Sequence, residues 1–73
     1  MNANELANTY GTVSLTTIEG QTLRDVCLAC YGRDEDDYRL IFTELNSRVD
    51  WDYLPVTQIS YIDPEIVKQF WLK

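Results

Sequence analysis

The stretch EGQTLRDVCLACYG, residues 19–32, decides the fold because it encodes a turn, a helix start, an apolar helix face and a helix end in order. Gly20 supplies the turn, and Thr22 followed by Asp25 predicts a capping box, in which both side chains bond unpaired amides at the helix start. Apolar residues then recur at the i, i+3, i+4, i+7 and i+8 positions of one helical face. They are Leu23, Val26, Cys27, Cys30 and Tyr31. Gly32 favours the left-handed conformation that ends many helices, so the predicted helix stops there.

Two strands are predicted on either side of the helical region. Residues 12–18, TVSLTTI, are mostly β-branched, and Val13 and Leu15 alternate with hydroxyl-bearing residues, which is typical of a strand with two different faces. Residues 58–62, QISYI, alternate in a similar way and end at an Asp-Pro pair. We expect the two strands to pair antiparallel and to bury one face of the sheet under helices.

A second helix is predicted over residues 34–46. Its acidic start, residues 34–37, opposes the positive end of the helix dipole, and Asp34 is expected to cap it. The run lacks the glycine and distal glutamate of a calcium loop, so we interpret it as a helix start rather than a cation site. The apolar residues on one face are Tyr38, Ile41, Phe42 and Leu45. Asn46 tolerates the left-handed region and is expected to end the helix.

Composition limits the classes of protein to which the chain can belong. Its 73 residues, 45% of them hydrophobic, suffice for one small domain, and domains of this size are marginally stable without a cross-link or a partner. A net charge of −6, from 12 acidic and 6 basic residues, provides no attraction for nucleic acid or anionic membranes. Neither a signal peptide nor a membrane span is expected from the apolar stretches, which are short.

The two cysteines, Cys27 and Cys30, lie inside the first predicted helix. We interpret them as reduced, buried apolar residues, because Cys27 lies more than one turn from the helix start, where the dipole activates redox thiols. Helix neighbours three apart also stand farther from each other than a disulfide allows. The chain has no histidine and no third cysteine, so we expect no metal site, no cofactor and no catalysis.

The loop at residues 48–56 and the two ends of the chain leave alternatives open. Trp51 and Tyr53 in the loop either form a recognition surface or cover the core. Residues 1–11 show no clear periodicity and are expected to form a mobile N-terminal arm, or a segment ordered only on binding, outside the core. Residues 64–73 are predicted to form an apolar arm or a short helix, which either docks on a partner or folds back on the domain. Their large apolar side chains are Ile66, Val67, Phe70, Trp71 and Leu72.

Residues 12–63 resemble a LysM domain. Within that superfamily, the TLRDVC phrase at residues 22–27, the YGR at residues 31–33 and the LP at residues 54–55 are most similar to the small phage tail protein X family. The resemblance implies an α+β fold of the βααβ type, in which two helices pack on a two-stranded antiparallel sheet. The flexible N-terminal arm and the apolar C-terminal arm would flank this domain.

The resemblance implies a structural, non-enzymatic component of a phage contractile tail or a related injection machine. Such a protein is synthesised in the host cytoplasm and resides in the virion, at the tail baseplate, as an adaptor between hub, tube or wedge subunits. The residues expected to bind these partners are Trp51, Tyr53, Ile66, Val67, Phe70, Trp71 and Leu72.

The same resemblance permits a second class of function, a module that binds peptidoglycan or chitin. LysM domains bind such glycans in a groove between the strand-to-helix loop and the helix-to-strand loop. The corresponding residues in this chain are Glu19, Gly20, Gln21, Thr22 and Trp51. The two classes differ in what retains the protein, which is an assembled particle in the first and cell wall in the second.

Overall fold

A computed structural model of the chain describes residues 2–71. Helices and strands follow in the order helix, strand, helix, helix, strand, helix. They are α1 (Ala3–Tyr10), β1 (Val13–Thr16), α2 (Leu23–Tyr31), α3 (Asp36–Leu45), β2 (Gln58–Tyr61) and α4 (Pro64–Ile66), which continues as a π-helical segment, Val67–Trp71. The two strands form an antiparallel sheet, so the predicted α+β class and the predicted strand pairing are confirmed.

The start and end of α2 follow the local signals in the sequence. The Asp25 amide donates to Thr22 Oγ1 at 3.1 Å, and the Thr22 amide donates to Asp25 Oδ2 at 3.0 Å, which completes the predicted capping box. At the other end Gly32 adopts φ +74° and donates its amide to the Leu28 carbonyl. Both ends of this helix are therefore determined by residues within it or next to it.

The ends of α3 differ from the prediction. Glu35 rather than Asp34 occupies the capping position, without a side-chain hydrogen bond. Asp34 instead accepts two hydrogen bonds from Arg39, at 2.6 Å from Nε and 2.8 Å from Nη2, and a paired, charge-assisted geometry of this kind outcompetes a cap. Asn46 has φ −124°, outside the left-handed region, so its predicted backbone role is wrong as well.

Asn46 ends α3 through its side chain. Its Nδ2 donates to the Phe42 carbonyl at 2.9 Å and to the Ser60 carbonyl at 2.8 Å, and its Oδ1 accepts from the Ser60 amide at 2.8 Å. One amide side chain therefore joins the end of α3 to β2. Tyr31 does the same for α2, because its hydroxyl donates to the Ile62 carbonyl at 2.7 Å and accepts from the Ile62 amide.

The core lies between the helices and the inner face of the sheet. Phe42 and Ile41 of α3 are fully buried, and Tyr31 stacks on Tyr38 with ring centroids 4.9 Å apart. The buried apolar residues are Ala3, Leu6, Val26, Cys27, Tyr38, Ile41, Phe42, Leu54, Ile59, Ile62 and Val67. Cys27 and Cys30 are free thiols, and Cys27 is one of these core residues, as predicted. The set includes residues from both ends of the chain, so those ends belong to the same domain.

The prediction of a mobile N-terminal arm is wrong for residues 2–11. Asn2 caps α1 by accepting from the Glu5 amide at 2.9 Å, and Ala3 and Leu6 are fully buried. The Ala3 amide also donates to Glu44 Oε2 at 2.7 Å, which ties α1 to α3. The segment looks aperiodic because so short a helix needs only one small and one large apolar side chain to reach the core.

The C-terminal segment takes the second of the alternatives left open, since it is helical and folds back on the domain. Val67 is fully buried in the core, so its predicted role in partner binding is wrong, because its side chain exposes no surface to a partner. Trp71 is half-buried and donates its indole N–H to the Asp37 carbonyl at 2.8 Å. Phe70 is exposed and stacks on Tyr10 at the end of α1, with ring centroids 4.7 Å apart. Leu72 lies outside the described residues.

Substitution of Leu6 tests whether α1 belongs to the core. Leu6→Ala should lower the free energy of unfolding by about 2–5 kcal/mol, because it removes buried methyl groups and leaves a cavity. Leu28→Ala, on the exposed side of α2, should change it by less than about 0.5 kcal/mol. Urea denaturation of the two variants measures the difference, and equal midpoints would contradict the burial of α1.

Candidate functional site

The turn before α2 and the loop after α3 meet at one end of the molecule and form a cleft of about 220 Å³. The residues that line this two-loop cleft are Glu19, Gly20, Gln21, Thr22, Trp51, Asp52, Tyr53 and Leu54. All five residues assigned to a glycan groove from the sequence are among them. The structure therefore brings together two segments that lie about 30 residues apart in the chain.

The first wall of the cleft is a tight turn whose polar groups form hydrogen bonds within the turn and with the start of α2. Gly20 has φ +85°, a backbone conformation that glycine adopts without strain. The Gln21 amide donates to the Ile18 carbonyl, and the Ile18 amide donates to Gln21 Oε1, both at 3.0 Å. The Thr22 hydroxyl accepts from the Asp25 amide in the capping box. The turn is thus a rigid wall, and its side-chain oxygens at Gln21 and Thr22 are engaged locally.

The second wall of the cleft is held by Trp51. Its ring contacts Phe42 edge-on, with centroids 6.2 Å apart, and is half-buried against the core. Its Nε1 is buried and has no hydrogen-bond partner among residues 2–71. An unpaired buried donor of this kind costs about 1–3 kcal/mol of folding free energy.

Of the two roles left open for the loop, covering the core and forming a recognition surface, Trp51 and Tyr53 fit different ones. Trp51 covers the core from the side of α3 while it lines the cleft. Tyr53 is 77% exposed and lines the same cleft, so it covers very little of the core. The side chain available to a ligand or partner is therefore Tyr53, supported by the fixed ring of Trp51.

The charge of the cleft is negative. Glu19 and Asp52 are among its lining residues, and no basic residue lines it within the part of the chain that the structure describes. Anionic ligands would meet repulsion there. A neutral ligand with hydroxyl and amide groups, or the uncharged surface of another protein, is compatible with this lining.

Beside the cleft lie two exposed apolar residues, Ile18 and Val56, that the sequence analysis missed. Ile18 is 69% exposed and Val56 is 63% exposed. The two residues are neighbours of Thr17 and Thr57, which are joined by a Thr17 amide to Thr57 carbonyl bond of 2.8 Å. We call Ile18, Tyr53 and Val56 the loop-end patch. The sequence indicates this patch only weakly. Ile18 precedes the turn at Gly20, Val56 follows Pro55, and neither residue belongs to the alternating pattern of a strand.

The buried thiol of Cys27 is chemically inert at neutral pH. Burial in the core, with a smaller contribution from the Asp34 carboxylate, raises the pKa of Cys27 from 9.0 to about 11. Burial also raises the pKa of Cys30. A protonated thiol is a poor nucleophile, and no group of three or more His, Cys, Asp or Glu side chains within residues 2–71 could hold a metal ion.

The acidic run before α3 is part of an ion pair. A hydrogen bond from Arg39, reinforced by the guanidinium charge, lowers the pKa of Asp34. Arg39 and Asp34 therefore neutralise each other on the surface of α3.

Of the helices in the described part of the chain, none has the length and apolar character needed to cross a membrane.

Comparison of the chain with protein-family models, with curated proteins and with solved structures finds no match. The cleft and the loop-end patch are therefore the features on which a function can be proposed.

The raised pKa of Cys27 predicts a loss of stability at alkaline pH. Between pH 9 and pH 11 the unfolded chain releases the thiol proton while the folded protein retains it, so rising pH favours unfolding. The contribution of this thiol should fall by about 1 kcal/mol between pH 8 and pH 10. Cys27→Ala should be less stable at pH 8 but lose less with rising pH, as measured by urea denaturation at both values. Parallel losses in the two proteins would contradict the assignment.

Proposed function

We propose that this protein is a non-catalytic, LysM-like adaptor in a phage contractile tail or a related injection machine. In this proposal it resides in the virion at the tail baseplate and joins neighbouring hub, tube or wedge subunits. The particle and its location come from the resemblance of residues 12–63 to the tail protein X family. The adaptor role is supported by the surface of the folded domain.

The observation that carries the proposal is the loop-end patch. Ile18, Tyr53 and Val56 expose most of their side chains at the same end of a domain that already has a closed core. Large apolar side chains of this kind, set beside polar residues, are typical of protein interfaces. The patch lies on short loops fixed by Thr17, whose hydroxyl donates to the Pro55 carbonyl at 2.6 Å. It is therefore presented to a partner without a large ordering cost.

The rest of the described surface is compatible with a purely structural role. Titratable groups with a shifted pKa either belong to the core or pack against it, such as Cys27 and Tyr31, or form the Asp34 and Arg39 pair. None of them lines the two-loop cleft. A small module of this kind gains affinity from repetition, because several copies bound in one assembly act together.

The loop-end patch can be tested by placing carboxylates in it. The double variant Ile18→Asp, Val56→Asp should remain folded, because both side chains are exposed. It should lose at least about 10-fold of its incorporation into particles, since desolvating two charges in an interface costs more than 1.4 kcal/mol. Particles from producing cells are separated on a density gradient, and the chain is quantified against sheath and tube proteins by mass spectrometry.

The matched control for this experiment is Leu40→Asp, which adds a carboxylate at an exposed apolar position of α3, outside the patch. It should be incorporated at the wild-type ratio. A patch variant that is incorporated as well as the control would contradict the role of the patch. Absence of the wild-type chain from particles would contradict the tail proposal as a whole.

A second candidate function is binding of peptidoglycan or chitin in the two-loop cleft. The specific observation in its favour is that the ring of Trp51 lines the same cleft as the exposed ring of Tyr53. Sugars bind to proteins by stacking on aromatic rings and by hydrogen bonds from their hydroxyl groups. The cleft offers aromatic rings for such stacking.

Two substitutions separate this function from the adaptor role. Tyr53→Ala removes the exposed ring, and Trp51→Phe reduces the aromatic surface that lines the cleft while keeping an aromatic side chain in contact with Phe42. Each should lower retention on insoluble peptidoglycan about 5- to 30-fold, the equivalent of 1–2 kcal/mol. Tyr10→Ala, which removes an exposed ring outside the cleft, is the control. Wild-type protein that passes through the cell-wall pellet unretained would exclude this candidate.

A further inference from the structure

The outer edge of β1 is open, whereas the outer edge of β2 is occupied by side chains at Ser60 and at Ile62. In an antiparallel ladder alternate residues direct their N–H and C=O groups toward the partner strand. The Thr17 amide bonds the Thr57 carbonyl, and Val13 and Leu15 share its alternation. Ser14 and Thr16 therefore direct their backbone groups away from β2. Within residues 2–71 no hydrogen bond reaches those groups.

Of the equivalent outward groups at β2, those of Ser60 and Ile62 are satisfied by side chains, whereas no hydrogen bond within residues 2–71 reaches those of Gln58, opposite Thr16. Ser60 lies opposite Ser14, and its outward N–H and C=O are both bonded by the Asn46 amide. The next outward residue, Ile62, has both groups bonded by the Tyr31 hydroxyl. A further strand can therefore add along the whole of β1, whereas at β2 the side chains of Asn46 and Tyr31 occupy two successive outward positions.

The usual protection of an edge strand is missing from β1. Residues 11–18, GTVSLTTI, contain no charged residue and no proline, the two features that most often prevent strands from pairing between molecules. Val13, Ser14 and Thr16 are exposed, and Leu15 is half-buried. The edge is thus short, exposed, uncharged and rich in β-branched residues.

The sequence of this edge is complementary to itself. Residues 12–16 read Thr-Val-Ser-Leu-Thr, in which hydroxyl-bearing and apolar side chains alternate in the same order from either end. An antiparallel copy centred on Ser14 therefore places Thr12 opposite Thr16 and Val13 opposite Leu15. Hydroxyl pairs and apolar pairs of this kind stabilise neighbouring strands. The outward backbone groups of Thr12, Ser14 and Thr16 also meet each other in the hydrogen-bonding register.

We propose that a second copy of this chain adds at the β1 edge, in antiparallel orientation about a two-fold axis at Ser14. The product is a four-stranded sheet in the order β2, β1, β1, β2, shared by two protomers. Such a sheet is more stable than a two-stranded one, which is marginal on its own. A two-fold contact closes on itself and does not propagate into fibres. This inference does not depend on the adaptor role.

Charge decides how strong and how salt-dependent the dimer is. Each chain carries a net charge of −6, so two copies repel at long range. The pairing segment, residues 11–18, contains no charged side chain, so the pairing brings no two carboxylates together. Five residues of strand edge also bury less than the roughly 1,600 Å² of a standard interface. The dimer is therefore weak, and it strengthens with salt as the repulsion is screened.

Sedimentation equilibrium over chain concentrations from about 10 μM to about 1 mM, a range suited to weak affinities, tests the proposal. The wild-type chain should show a reversible monomer–dimer equilibrium that tightens at about 1 M NaCl, where charges are screened beyond about 3 Å. Ser14→Pro removes the outward N–H and leaves the bonds from Val13 and Leu15 to β2. It should stay monomeric, while Ser14→Thr, which retains the N–H, should dimerise.

A pair of double variants keeps the test decisive if the proline disturbs β1. Thr12→Lys, Thr16→Lys opposes like charges at both ends of the pairing and should prevent the dimer. It should do so even though the added lysines make the net charge less negative and so weaken the general repulsion. Thr12→Lys, Thr16→Glu opposes each ammonium to a carboxylate and should restore the dimer. A wild-type chain that stays monomeric at low salt and at high salt overturns the proposal. The open edge of β1 would then be available to an extended segment of another protein. A dimer that survives both Ser14→Pro and the double-lysine variant also overturns the proposal.

Discussion

The structure depends on the hydrogen bonds that the Asn46 side chain makes between the end of α3 and β2. One amide group satisfies the Phe42 carbonyl and both outward groups of Ser60. Helices and sheet in a small domain have few contacts to fix their relative position, and a side chain with two donors and an acceptor fixes it in direction as well as distance. The Tyr31 hydroxyl repeats this arrangement for α2 at Ile62.

These bonds have consequences at both ends of the sheet. Because β2 is fixed on α3, the loop between them is drawn across Phe42 and places Trp51 beside the turn that precedes α2. The cleft and the loop-end patch are products of that closure. The same bonds also satisfy the outward groups of Ser60 and Ile62, so the edge at which a whole strand can pair is that of β1. A single packing solution thereby separates two surfaces, one suited to a partner or glycan and one suited to a strand.

The small size of the domain explains why residues 3–10 and 64–71 are folded into it. A core drawn from α2, α3 and β2 alone is thin, and domains of this size retain little stability to spare. Leu6 from one end and Val67 from the other complete the core, and the exposed rings of Tyr10 and Phe70 stack where the two ends meet. An interface built from the C-terminal residues would have to compete with this internal packing. The adaptor that we propose therefore uses the loop end.

The sequence by itself determined the features whose cause is local. The capping box of Thr22 and Asp25, the stop at Gly32 and the pairing of two alternating strands could all be predicted, because each depends on residues close in the chain or on a period of two or 3.6. Asp34 and Asn46 were mispredicted because each local preference lost to a partner elsewhere: Arg39 for the first, and Ser60, on a strand after the loop, for the second. The fold of α1 and the grouping of Trp51 with residues 19–22 were decided only by tertiary structure. Both require contacts across 30 or more residues, such as the Ala3 amide on Glu44, and no short-range pattern in the chain encodes which distant group will be there.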